Sequence, residues 1–294
     1  MKKLFFVINP YAGMRKANKL LPEILSVFNR GGFDVQVYIT QCQGDAKKVV
    51  SRRAKEMDIV VCCGGDGTFN ETVAGVMESG ANVPVGYIPA GSTNDFANSL
   101  GLPADPVEAA KQIVFGMARP FDVGVFGGRY FTYVASFGVF TKTSYTTPQN
   151  IKNALGHTAY LLSGIQELSQ LRHKVHVKLE MDGEQVEDDF IFGAICNSTS
   201  VGGILTLDPK QVDMSDGLFE VLLVRYPKDL AEVRECIQAV QKQTYNCKML
   251  TFCSCKQVKI TASSSIAWTL DGEKEPEKRE VFVENIHHAF RLVR

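Results

Sequence analysis

The chain has 294 residues, enough for two domains of ordinary size, each with a core of its own. Its 32 lysines and arginines balance 32 aspartates and glutamates, so the overall charge gives no sign of nucleic-acid binding. Apolar residues make up 45%, as in an ordinary globular protein, and no apolar stretch reaches the roughly 18 residues that spanning a bilayer requires. The opening Met1-Lys2-Lys3-Leu4-Phe5-Phe6-Val7-Ile8-Asn9-Pro10 begins like a signal peptide. Its apolar run is short and ends in Asn-Pro without a small-residue cleavage site, so a first β-strand is expected instead.

The first 120 or so residues alternate strand and helix patterns. Strands are expected at Leu4–Ile8, Phe33–Ile39, Asp58–Cys63 and Val85–Ile88. Between the first two, Ala17, Leu20, Leu21, Ile24, Leu25 and Phe28 follow helical spacing, and Gly31-Gly32 ends the helix. Further helices are expected over residues 45–57, 68–79 and 105–116. Strands alternating with helices imply a parallel, Rossmann-like sheet with right-handed crossovers, whose ligands bind beyond the carboxyl ends of the strands. Three polar turns fall at such ends, at residues 9–13, 64–68 and 89–95.

After about residue 121 the texture changes. Val175–Met181 alternates, Asp182-Gly183 turns, and Asp189–Cys196 continues as a strand, which makes a hairpin. Other strands are expected at Tyr130–Ser136, Leu218–Arg225, Lys256–Thr261, Ile266–Leu270, Val281–Glu284 and Ala289–Val293, with helices near 151–171 and 228–243. The second half thus reads as mainly antiparallel, a β-sandwich or open barrel. The expected division is an α/β domain over residues 1–121, to which the last strand at about 288–294 returns, and a β domain over 122–287. The eight cysteines form no CxxC pair and the five histidines no HExxH, so the cysteines read as reduced thiols of a cytosolic protein rather than metal ligands.

The most specific feature is Gly64-Gly65-Asp66-Gly67-Thr68-Phe69-Asn70-Glu71, directly after the apolar run Ile59–Cys63. It is a buried strand feeding a glycine-rich turn that opens a helix. Thr68 and Glu71 stand at capping-box spacing, which places the helix start near Thr68. Backbone amides at such a start favour a phosphate. An aspartate in a phosphate loop would repel its ligand unless a divalent cation sat between them, so Asp66 points to a metal-assisted nucleotide site. No Gly-Lys-Ser/Thr follows, so the loop is not a Walker A motif. Pro89-Ala90-Gly91-Ser92-Thr93-Asn94-Asp95 reads alone as a helix N-cap cluster, and beside Asp66 it offers a second carboxylate, Asp95. The turn Asp213-Met214-Ser215-Asp216-Gly217-Leu218, after Gly202-Gly203 and Asp208-Pro209, carries oxygens that suit a hard cation or simply a polar turn. Asp271-Gly272-Glu273 repeats the tripeptide Asp182-Gly183-Glu184. The latter, lying between two alternating strands, is taken as the hairpin turn.

Together Asn9-Pro10-x-Ala12-Gly13, Gly-Gly-Asp-Gly-Thr, Asn70-Glu71, Gly91-Ser92-x-Asn94-Asp95, Gly202-Gly203, Asp216-Gly217 and the late Asp-Gly-Glu resemble the bacterial diacylglycerol kinase-like lipid kinases, relatives of sphingosine and ceramide kinases. The order and spacing hold over nearly the whole chain. The resemblance implies an N-terminal nucleotide domain and a C-terminal β-sandwich lipid-substrate domain, with ATP in the cleft between them. It implies that Asn9, Thr40, Gly64, Gly65, Asp66, Gly67, Thr68, Asn70, Glu71, Ser92 and Asn94 serve ATP, and that Asp66 and Asp95 organise a catalytic Mg²⁺. It further implies a structural Mg²⁺ at Asp213, Asp216 and the Leu218 carbonyl, and a general base supplied by Asp271 or Glu273. Ser92 replaces the family's usual threonine and Ala12 its usual serine. The implied reaction passes the γ-phosphate of ATP to diacylglycerol or a related lipid. An NAD kinase-like or other small-molecule kinase, and a non-catalytic nucleotide-binding regulator, are the alternatives. An enzyme of this kind would be cytoplasmic and peripheral at the inner membrane surface. The Ile151–Leu171 segment, with Lys142 and Lys152 nearby, is a candidate membrane-facing helix. Oligomeric state is left open, a homodimer included.

Overall fold

A computed structural model describes residues 1–13, 19–138, 174–201, 205–208, 210–242, 244–245 and 247–294. The expected 151–171 helix and the Gly202-Gly203 pair lie outside the described residues. The chain separates into two compact units, Met1–Val123 with Ile286–Arg294, and Gly124–Asn285.

The first unit is built from β1 (Lys2–Ile8), α1 (Leu21–Arg30), β2 (Phe33–Ile39), α2 (Asp45–Arg53), a 3₁₀ turn (Ala54–Glu56), β3 (Ile59–Gly64), α3 (Asp66–Ser79), β4 (Val85–Pro89), α4 (Asp95–Ser99) and α5 (Pro106–Phe115). Strand β1 pairs in parallel with β2 and with β3, and β3 in parallel with β4. The apolar runs demand this arrangement. Leu4 through Ile8 and Ile59 through Cys63 are all buried, as strands covered on both faces must be. One core joins Leu4, Phe6 and Ile8 to Ile24 and Phe28 of α1 and Ala109, Ala110 and Ile113 of α5. Helix α5 starts where Asp105 accepts from the Val107 and Glu108 amides, both at 3.0 Å, with Pro106 in the first turn. Helix α3 is buried along most of its length, and Phe69 stacks on Tyr87 with ring centroids 4.5 Å apart. It begins at Asp66 rather than near Thr68, so the expected capping box does not form.

The chain leaves this unit along β5 (Ala118–Phe126) and returns to it at the end of β15 (Glu273–Val293). The second unit holds β6 (Arg129–Phe131), β7 (Val134–Gly138), β8 (Val175–Met181), β9 (Glu184–Cys196), the short β10 (Ser200–Val201) and β11 (Leu205–Thr206), β12 (Phe219–Arg225), α6 (Leu230–Gln241), β13 (Leu250–Cys255) and β14 (Gln257–Leu270). Strand β9 pairs with both β7 and β8, and β14 pairs with the same two, every pair antiparallel. The four strands therefore close into a ring, so that of the expected sandwich or open barrel it is the open edge that these four strands lack. Closure rests on β14, which was expected as two strands. Its Val258–Ala262 segment pairs with β8, its Trp268–Leu270 segment with β7, and the register shifts between Thr261 and Ile266. Inside lie Trp268, Phe126 and Phe137, the tryptophan edge-on to each phenyl ring at 4.8 and 5.0 Å. The eight cysteines are free thiols. Among the described residues no helix is long and apolar enough to cross a membrane.

Candidate active site

In the first unit the polar turns at the carboxyl ends of β1, β3 and β4 are tied to one another. Asn9 donates its backbone N–H to the Cys63 carbonyl at 2.9 Å and its side-chain amide to Thr68 Oγ1 at 3.0 Å. Thr40, just after β2, donates its N–H to the Ile8 carbonyl at 2.9 Å. Ala90 donates to the Gly64 carbonyl at 2.7 Å. Gly65 and Gly91 then touch backbone to backbone. A Cβ on Gly91 would stand 2.5 Å from the Gly65 Cα and 2.7 Å from Asn94 Oδ1, so a side chain has no room there. Asn94, in the left-handed region at φ 53°, accepts from the Gly91 N–H at 2.9 Å and donates to its carbonyl at 3.0 Å, which fixes the second glycine.

Asp66 sits in the first turn of α3, and its carboxylate reaches across to the start of α4. Its Oδ2 accepts from the Asp95 N–H at 3.1 Å and its Oδ1 from the Phe96 N–H at 3.3 Å. The N-terminus of α4 is thus capped from another element, with no side-chain cap of its own. Asp95 itself is buried, so two carboxylates are collected where β3 and β4 end. Burial first, and then the negative charge of Asp66, push the Tyr87 phenol well above its ordinary range. Glu71 does not cap its own helix. Its carboxylate accepts from Gly44 N–H at 2.7 Å and Ala46 N–H at 3.2 Å at the head of α2. Asn70 and Thr68 are buried on α3, while Ser92 is exposed in the turn after Gly91.

In the second unit, Asp182-Gly183 and Asp271-Gly272 are both two-residue turns with positive φ at each position, 44° and 96° in the first, 49° and 80° in the second. Both tripeptides therefore make hairpins, contrary to the expectation that Asp182-Gly183 alone is the turn. The carboxylates separate them. Asp182 accepts from the Lys256 N–H at 2.7 Å in an exposed setting. Asp271 is buried and accepts four hydrogen bonds: Thr132 N–H at 2.6 Å and Thr132 O–H at 2.8 Å on one oxygen, Tyr133 N–H at 2.9 Å and Val134 N–H at 3.0 Å on the other. Burial raises its pKa to about 6 against those four donors. The same bonds break the expected Tyr130–Ser136 strand into β6 and β7, because the amides of 132–134 turn toward the carboxylate instead of a partner strand. Glu273 keeps more solvent exposure and takes one donor at 2.5 Å from Arg129.

Asp213 and Asp216 each close a local turn. Asp213 Oδ1 accepts from Ser215 N–H at 3.0 Å, and Asp216 Oδ1 accepts from Leu218 N–H at 2.9 Å. The Leu218 carbonyl accepts from Asn285 at 2.9 Å. Among the described residues no group of three or more histidine, cysteine or acidic side chains is arranged to hold a metal. Sequence reading missed Arg129, Thr132 and Asp122. Asp122 is fully buried and accepts from His288 N–H at 2.8 Å, with His287 Nδ1 at 3.1 Å. An acid inside the apolar run Phe121–Val123 is a readable signal for it. Nothing in the sequence around Arg129 marks that residue out.

Three comparisons bear on the class of protein. The family model for the diacylglycerol kinase catalytic domain matches residues 3–126, and the model for the YegS C-terminal NAD kinase beta sandwich-like domain matches residues 134–292. The diacylglycerol kinase of Bacillus subtilis (strain 168) is 33% identical over 93% of this chain and 90% of its own length. That of Staphylococcus carnosus (strain TM300) is 30% identical over 92% and 89%. A crystal structure of a diacylglycerol kinase from Bacillus anthracis str. Sterne shares the fold, with a TM-score of 0.77 at 23% identity, covering 99% of this chain and 96% of that one. A glycine turn with adjoining carboxylates, on a chain matching these models, defines a kinase, a phosphotransferase with an alcohol acceptor. The chain belongs to the diacylglycerol kinase family.

Proposed function

We propose that this kinase transfers the γ-phosphate of ATP to a hydroxyl of diacylglycerol or a related lipid. The reading rests chiefly on the Gly65–Gly91 contact, where two backbone turns close on each other beside Asp66 and Asp95. Turns without side chains let phosphates approach backbone N–H groups, and the start of α3 adds its amides. Asn9, Thr40, Gly64, Gly65, Gly67, Thr68, Asn70, Ser92 and Asn94 surround that place in this reading. Glu71 acts indirectly, through the head of α2. Two carboxylates with phosphate oxygens are the donor chemistry that suits Mg²⁺, so Asp66 and Asp95 would hold it. When bound, it would offset charge on the phosphates. Asp213, Asp216 and the Leu218 carbonyl stand as a second, structural Mg²⁺ site in the same reading.

Glu273 is the base in this proposal and Asp271 is not. Asp271 is buried and each of its oxygens already accepts two hydrogen bonds from Thr132, Tyr133 and Val134, whereas Glu273 is partly exposed. The Glu273 carboxylate takes the proton of the lipid hydroxyl. That oxygen forms a bond to the γ-phosphorus as the bond from phosphorus to the β–γ bridging oxygen breaks, and ADP leaves with the electron pair. The first unit serves the nucleotide and the second the lipid, which is reached from the cytoplasmic membrane surface.

Incubation with γ-labelled ATP and a total lipid extract, with NAD in a parallel reaction, tests the substrate. Label in a glycerolipid band is expected. Label in NAD, or in no lipid, overturns the reading.

A further inference from the structure

Strand β15 alternates its side chains, so Glu273 and Glu275 share a face with Lys274 turned away. One guanidinium serves both. Arg129, just past the Gly127-Gly128 turn between β5 and β6, donates Nη2–H to Glu273 Oε2 at 2.5 Å and Nη1–H to Glu275 Oε1. The two carboxylates differ in setting: the Glu275 side chain is 7% exposed, Glu273 29% and Arg129 40%. A nearly buried carboxylate needs its cation, so Glu275 holds Arg129 in place. An exposed pair adds little to stability, so the bond to Glu273 chiefly fixes where that carboxylate points. A lysine carries the same charge as a compact point and cannot reproduce the two-pronged grip. Two residues before Glu273, Asp271 ties the 132–134 backbone to the same hairpin, so both ends of the 129–134 segment are fastened to it.

We propose that Arg129 is a positioning residue for phosphoryl transfer. Anchored by Glu275, it aims the Glu273 carboxylate at the acceptor hydroxyl. The proposal rests on Glu273 being the general base.

The test measures kcat and KM for ATP and lipid in the full-length protein and in R129K, R129Q, E273Q and R129K/E273Q, with a thermal melt of each. R129K is expected to lower kcat about tenfold, with both KM values within about twofold, because alignment is lost before binding is. On the E273Q background the same substitution is expected to change the residual kcat by less than twofold, since a residue acting through Glu273 has nothing left to aim. Wild-type kcat in both R129K and R129Q would overturn the proposal. So would an equal loss with and without Glu273, or failure of both variants to fold, each of which makes Arg129 a general structural residue. A fully active E273Q would instead remove the assignment of the base.

Discussion

Two aspartates in identical tripeptides show how much a residue's role depends on its surroundings. Asp182 and Asp271 adopt the same turn, yet Asp182 is exposed and Asp271 satisfies three backbone amides and a hydroxyl in a buried site. Sequence could mark both as turns but could not separate them, since the donors to Asp271 lie some 137 to 139 positions away in the chain. Replacing one carboxylate oxygen with an amide would aim donors at donors. Asp271→Asn should therefore lower stability by about 2–4 kcal/mol, as one or two buried N–H groups lose their acceptor, depending on which oxygen is replaced. A thermal melt checks this. Unchanged melting with lost turnover would return Asp271 to a direct chemical role. Glu71 makes the same point. Its spacing to Thr68 suits a capping box, but the carboxylate goes to Gly44 and Ala46, and Thr68 accepts from Asn9 instead. Local spacing cannot register a competitor from another strand.

At the scale of elements, the buried strands were the most legible. Strands β1, β3 and β4 agree to within two residues at either end, because fully covered parallel strands write continuous apolar runs, and the half-exposed β2 matches through its alternating Phe33–Ile39 pattern. The misreadings arose where one strand serves two partners. Strand β14 bends through the polar Ser263–Ser265 stretch to pass from β8 to β7, and that stretch reads in sequence as a loop between two strands. Strand β5 was overlooked because its Arg119-Pro120 start looks like a boundary. Strand β12 carries a concealed cost. Glu220, almost wholly buried between Phe219 and Val221, has one carboxylate oxygen without a partner. Burial, then the charges of Asp216 and Asp213, raise its pKa from 4.5 to about 8. The folded chain therefore keeps a proton that the unfolded chain releases. Stability should fall as pH rises from about 4.5 through 8 and level off beyond. Glu220→Gln should remove that decline and gain, near pH 8, on the order of a few kcal/mol over the parent chain. Denaturant melts across this range measure it. Parallel pH profiles for the two proteins would refute it.

For the whole molecule, the acidic groups divide between two units that the chain threads in and out of. Asp66 and Asp95 belong to the unit of residues 1–123 and 286–294, and Asp271 and Glu273 to that of 124–285. Motif reading reached both sets because each occupies a short, chemically marked turn. It did not reach Arg129, whose partners are 144 and 146 positions away. In the proposed reaction the two units have separable tasks, the first holding nucleotide and the second taking the acceptor's proton. One variant tests that division most directly. Glu273→Gln, mixed with labelled ATP and diacylglycerol in a single-turnover experiment, should bind nucleotide with an affinity within about twofold of the parent, because no nucleotide contact is altered. It should transfer label to lipid at least about a hundredfold more slowly, the scale of a lost general base. Transfer at the parent rate, or loss of nucleotide binding along with transfer, would contradict the account.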